Sequence, residues 1–251
     1  MRRKPATTLT EDQSSLLAAR YPQWALLTLA ERERAEHLIT VFRRHTNFEI
    51  LPGVKPTDDL EVTIAAAGAL LILALPIDRI PHLSSVIVHP RSVNRRVVRN
   101  LGGLMVSESR SVLSGQAHHY GPVLISWRHA LYEMNHPEIG RQVIIHELAH
   151  KLDMANAYDG TPPISADKRA EFIVARDNEL ARMRTGRDDG ILDRYGATDV
   201  GEFFAVATER FFTDPIPMAE GLPDLYAAMA DAFGQDTVGR LYQSPTRSGN
   251  G

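Results

Sequence analysis

The sequence predicts an α+β domain, mainly helical, with a small mixed sheet. Two observations carry this reading. Helical periodicity dominates from Pro137 onward, over 137–155, 166–184, 199–213 and 222–242, and β-rich segments fall between residues 80 and 130. With 43% hydrophobic and 24% charged residues in 251, the composition is globular, and the chain can bury a substantial core without cross-links.

The elements follow in order. Residues 1–10 and the tail 244–251 (SPTRSGNG) are expected to be disordered, leaving one domain over 11–243 whose first part, 11–60, is largely helical. Leu16, Leu17, Trp24, Leu27, Leu38, Ile39, Val41 and Phe42 give 11–46 its helical pattern. A Pro/Gly loop at Leu51-Pro52-Gly53 leads to Pro56-Thr57-Asp58-Asp59, a helix start before the apolar helix 60–75. Ser85–His89, closed by Pro90, reads as a strand, and Gly121–Trp127 reads as another.

Charge and cysteine content exclude several classes. There are 28 basic and 31 acidic side chains, a net −3, so no global field calls for nucleic acid or an anionic membrane. Without cysteine the chain has no disulfide, thiolate metal site or cysteine nucleophile, which fits a reducing compartment. Its ten histidines leave imidazole and carboxylate as metal ligands. The basic start Met1–Pro5 runs into polar residues with no apolar core, so a signal peptide is not expected. Ile64–Leu75 falls short of the roughly 18–20 residues that span a bilayer. The expectation is a soluble, cytoplasmic protein.

Chemistry concentrates in His146-Glu147-Leu148-Ala149-His150, an H-E-x-x-H motif. Pro137 suits a first helical turn, and Ile139, Val143, Ile144 and Leu148 recur at helical spacing. Four residues advance a helix by about 400°, so His146 and His150 project from one face. Two imidazoles so placed can bind one Zn²⁺, with Glu147 beside them as general base toward the attacking water. The bland alternative is a solvated face with an incidental histidine pair. Ile144, Ile145, Leu148 and Leu152 make the helix largely buried instead, and burying two histidines and a glutamate without a partner is costly. A third ligand is needed, and Glu171, Glu179, Glu202, Glu209 and the remaining histidines are candidates. Glu202 and Glu209 lie nearly on one helical face, so spacing cannot choose between them. Asp199-x-x-Glu202 is also readable as a capping-box variant that only starts the helix.

The run HELAHKLDMANAYDGTPP (146–163), followed by YGATDVGEFFAVATERFF (195–212), resembles the Mlc titration factor A family. These are bacterial zinc peptidases related to the catalytic domain of anthrax lethal factor. SVIVHP (85–90), SGQ (114–116) and GPVLISW (121–127) are also similar, so the resemblance covers about residues 20–240. It implies a zincin-like metallopeptidase domain with one zinc ion on His146, His150 and Glu202, Glu147 as base, and Tyr195 facing the metal. Some members of the family carry a further histidine upstream of SGQ. This chain has Ser107 there, which argues against a fourth protein ligand.

Tyr195 could donate a hydrogen bond to the oxyanion formed by water attack, or be an ordinary turn aromatic. Asp153 could accept a hydrogen bond from a ligand imidazole or pair with a cation on the helix surface. Residues 121–127 could offer an edge strand to a peptide substrate, or be a core strand. His118 and His119 read as a polar loop outside the metal site. The leading expectation is thus a zinc metallopeptidase, and the resemblance implies that it is aminopeptidase-like. The resemblance adds binding of a transcriptional repressor of sugar uptake, either beside the activity or in place of it, with a structural or vestigial zinc site. Hydrolysis of a non-peptide amide or ester ranks third.

Overall fold

Two threonine capping boxes divide the N-terminal helical region. Thr10 accepts the Gln13 N–H and Thr28 accepts the Glu31 N–H, while both side chains reach back to the cap residues' own N–H groups. The result is α1 (Glu11–Arg20), a short α2 (Pro22–Ala25) and α3 (Leu29–His45), rather than one helical stretch. The structure, a computed structural model, describes residues 8–75, 83–90, 121–155 and 158–242. The anticipated tails fall almost entirely outside these residues, and Ser107, SGQ, His118 and His119 fall wholly outside them.

A strand that the sequence pattern did not reveal, β1 (Asn47–Ile50), follows α3 directly. Thr57 then caps α4 (Asp58–Leu71), which is buried on almost every side from Leu60 to Leu71. The expected strands are present as β2 (Ser85–His89) and β3 (Val123–Ser126). β2 lies in the middle, with Phe48 opposite Val86 on one side and Val86 opposite Val123 on the other. Among the described residues the sheet is wholly parallel, not mixed. Parallel neighbours require a crossover, and α4 supplies the one between β1 and β2.

Strand β3 stops at Ser126, and Trp127 opens an amphipathic helix, α5 (Trp127–Met134), instead of extending the strand. The motif helix starts later than expected. Pro137 sits in a separate 3₁₀ turn, Pro137–Ile139, ended by Gly140 with φ of 66°. A side chain there would be strained by the left-handed backbone, and its Cβ would displace the Arg210 guanidinium. Helix α6 (Val143–Ala155) therefore begins at Val143. Next come α7 (Ala166–Arg184), matching its expected span, and α8 (Val200–Thr213), whose start is fixed by Asp199. The anticipated helix 222–242 is two helices, α10 (Pro223–Phe233) and α11 (Thr237–Tyr242), preceded by a short α9 (Pro215–Gly221).

Helix α8 is the central strut: every residue from Gly201 to Thr213 is buried except Arg210. Its Phe204 and Phe211 rings lie 6.2 and 5.9 Å from Phe233, and Phe172 meets Phe204 edge-on. Each such burial contributes about 1.5–3 kcal/mol. Helix α6 packs along α8, so the motif and the two acidic residues of α8 are held side by side. Among the described residues no helix is long and apolar enough to cross a membrane.

Candidate metal centre

The N-terminus of α6 is closed by groups from other elements. Glu133 Oε2 on α5 accepts the Val143 N–H at 2.6 Å, and Glu209 Oε2 on α8 accepts the Gln142 N–H at 2.6 Å. Two carboxylates at a helix start also complement its dipole. Nothing in the local sequence singles out Glu133, because its partner is reached only through the turn at Gly140.

One turn into α6, His146 is 2% exposed and His150 half-buried. Their rings stand nearly perpendicular, and the two Nε2 atoms are 3.2 Å apart. Glu202 closes the triangle from α8. Its N–H donates to Asp199 Oδ1 at 2.9 Å, and its carboxylate turns toward the histidines. Oε2 lies 3.2 Å from His146 Nε2 and 3.6 Å from His150 Nε2. Asp199 is thus an N-cap, as one reading of the spacing proposed, and the Glu202 carboxylate serves the histidines. Burial alone would raise the Glu202 carboxyl, yet its contacts with the two imidazoles outweigh this and hold it well below the usual carboxylate range.

These three residues suit a metal ion. Among the described residues they form the group whose ligand atoms all lie within 4.8 Å of one another. Metal bonds of roughly 2.0–2.1 Å in a tetrahedron put neighbouring ligand atoms about 3.3–3.4 Å apart, and the observed separations of 3.2, 3.2 and 3.6 Å bracket that value. Two imidazoles and a carboxylate, with a second buried carboxylate behind them, also make a donor set that favours a cation.

The second carboxylate is Glu209. It lies on the other edge of the His146 ring, with Oε1 2.6 Å from Nδ1. Glu202 therefore faces Nε2 and Glu209 faces Nδ1, a distinction that helical spacing could not make. Glu171 is exposed on α7, and Glu179 pairs with Arg182.

Tyr195 stands in a 3₁₀ turn, Arg194–Ala197, whose cap Asp193 accepts the Tyr195 N–H at 2.8 Å. Its ring centre is 6.2 Å from that of His146. Glu147 is half-buried, beside Lys151, whose ammonium donates to the Gly121 carbonyl at 2.7 Å. Burial lowers the Lys151 pKa, while the charge of Glu147 opposes the shift. Asp153 has a third role that neither reading of the sequence foresaw. Its buried Oδ1 accepts the Gly160 and Thr161 N–H groups at 2.7 and 3.3 Å, anchoring the loop after α6. Gly201 gives clearance at this edge: a Cβ there would sit 3.4 Å from Asp153 Oδ2 and 3.9 Å from His150 Nδ1. β3 is the outer strand of the described sheet, with Val123, Ile125 and Ser126 buried.

Comparison with known proteins gives the same class. A family model described as glucose-regulated metallo-peptidase M90 matches residues 1–234. The chain is 30% identical over 236 residues to Mlc titration factor A of Edwardsiella ictaluri, covering 90% of this chain and 89% of that protein. It is also 30% identical to Mlc titration factor A of Escherichia fergusonii, covering 87% and 84% of the two chains. Protein slr2042 of Synechocystis is 30% identical over 79% of this chain and 74% of its own length. The chain belongs to the M90 family of glucose-regulated metallopeptidases.

Proposed function

We propose that this chain, as one domain over 11–243, is a zinc-dependent peptidase of the aminopeptidase kind. The observation that carries the reading is the convergence of His146 Nε2, His150 Nε2 and Glu202 Oε2 at metal-ligand separations. These three residues would hold one Zn²⁺ ion, which when bound polarises a carbonyl and acidifies water. Glu147, next to His146 on the same helix and half-buried, takes the proton from the attacking water and returns it to the leaving amine. Tyr195 donates its phenol hydrogen to the oxygen that gains charge as the carbonyl becomes tetrahedral. β3, at the outer position of the described sheet, offers its backbone to an extended peptide.

Elemental analysis and an aminoacyl reporter panel, run on wild type and Glu202→Ala, test this reading. Stoichiometric zinc and turnover in the wild type, both lost in the variant, are expected. Zinc with turnover only on non-peptide amides or esters would keep the chemistry and reject the peptidase. Wild type that takes up no metal would overturn both.

The name shared by two relatives, Mlc titration factor A, favours a second role. In this reading the chain binds an Mlc-type repressor in the cytoplasm and so regulates sugar uptake. Calorimetric titration with purified repressor measures this directly. Binding that survives Glu147→Gln separates it from catalysis, and no heat of binding would reject it.

A further inference from the structure

We infer that Glu209 is a positioning residue: it sets which ring nitrogen of His146 faces the metal and, with the same carboxylate, fixes the start of the helix that carries His146. The inference rests on the metal reading above.

The geometry is specific. Glu209 lies on α8 two turns beyond Glu202 and is 1% exposed. Its Oε1 is 2.6 Å from His146 Nδ1, and its Oε2 accepts the Gln142 N–H at 2.6 Å. A carboxylate only accepts hydrogen bonds, so the ring proton belongs on Nδ1. Nε2 is then the nitrogen with the lone pair, and it faces His150 Nε2 and Glu202 Oε2. Hydrogen bonding at one imidazole nitrogen thereby prepares the other for a metal. The Gln142 contact adds a second function. Gln142 directly precedes α6, and its carbonyl accepts the His146 N–H at 3.0 Å. One carboxylate therefore holds both the ligand ring and the backbone turn from which the ring projects. Glu133 is the matching control: it accepts the Val143 N–H at the start of the same helix.

A glutamine at 209 has one acceptor oxygen for two donors, and its amide N–H₂ must face one of them. The test compares wild type, Glu209→Gln and Glu133→Gln. Three readouts are used: zinc affinity by chromophoric chelator competition, melting temperature, and the ¹⁵N shifts of His146 in the metal-free protein. Glu209→Gln should weaken zinc binding by roughly 10–100-fold. It should also shift His146 from a single Nδ1–H tautomer to a mixture. Glu133→Gln should lower the melting temperature while zinc affinity and the His146 tautomer stay as in wild type.

Zinc affinity unchanged in Glu209→Gln would overturn the inference and leave the metal reading standing. Equal loss of affinity in both variants would also overturn it, reducing Glu209 to a helix cap. If the wild type binds no zinc, the metal reading fails. The ¹⁵N spectrum then still decides whether Glu209 sets the tautomer, and an Nε2–H signal in the wild type would reject that as well.

Discussion

Asp199 Oδ1 accepts the N–H of Glu202 at 2.9 Å, so the cap of α8 and the carboxylate that meets the histidines are separate side chains on one helical turn. The pair can therefore be taken apart by mutation. Asp199→Ala should cost about 0.5–2 kcal/mol of stability, the usual loss for an N-cap, and lower the melting temperature by a few degrees. Metal stoichiometry should be retained. Glu202→Ala should do the reverse, abolishing uptake while α8 stays capped. Melting curves and elemental analysis on both variants read the two effects, and loss of metal in Asp199→Ala alone would reverse the assignment.

Glu147 and Tyr195 are expected to act on the reaction rather than on the metal. Glu147→Gln should keep zinc and lower turnover by about 10²–10⁴, the range for a lost general base. Tyr195→Phe keeps the ring that packs 6.2 Å from His146 and removes only the hydroxyl. Turnover should fall by about 10²–10³, with melting temperature and metal content unchanged. A comparable drop in zinc content in either variant would show that its effect runs through the metal.

How much of this was legible in the sequence depends on how far each partner lies along the chain. His146 and His150 meet through helical geometry alone, so their juxtaposition could be read from a five-residue motif. The choice between Glu202 and Glu209 could not, because both point toward α6 and only the offset between the two helices decides which edge of His146 each one meets. The family resemblance supplied Glu202. The short β1 was hidden because four residues carry too little alternation to register beside a long helix. The start of α6 was misplaced because Pro137 is an equally good first residue for a 3₁₀ turn, and only the left-handed Gly140 over Arg210 ends that turn. Glu133 and the loop role of Asp153 depend on contacts made after the chain has turned back, which no local pattern records.

Removing the metal should cost stability, because His146, Glu202 and Glu209 bring two carboxylates into a site from which water is largely excluded. An ion that binds only the folded chain adds about 4.1 kcal/mol when present at a thousand times its dissociation constant. The melting temperature should fall on dialysis against a chelator, recover with added zinc, and rise further with zinc concentration. Glu202→Ala should show no zinc dependence. A wild-type melting temperature indifferent to chelator and zinc would mean that the three ligand atoms hold no ion in the folded protein.

A pH prediction follows from a contact remote from the site. Glu31 accepts hydrogen bonds from the Thr28 N–H and hydroxyl, each at 2.9 Å, and from the buried guanidinium of Arg240, tying the start of α3 to α11. Burial would raise its carboxyl, but Arg240 and Thr28 together pull it below the ordinary value of 4.5. The folded protein thus binds this proton less tightly than the unfolded chain does. Its stabilising contribution is full above about 4.5 and drains away as pH falls through the lowered value. Melting wild type and Glu31→Gln side by side between pH 7 and pH 3 should show a wild-type advantage that is constant at the upper end and shrinks below 4.5. An advantage that stays the same across the range would mean that Glu31 acts through the shape of its capping box, and that its charge against Arg240 contributes nothing.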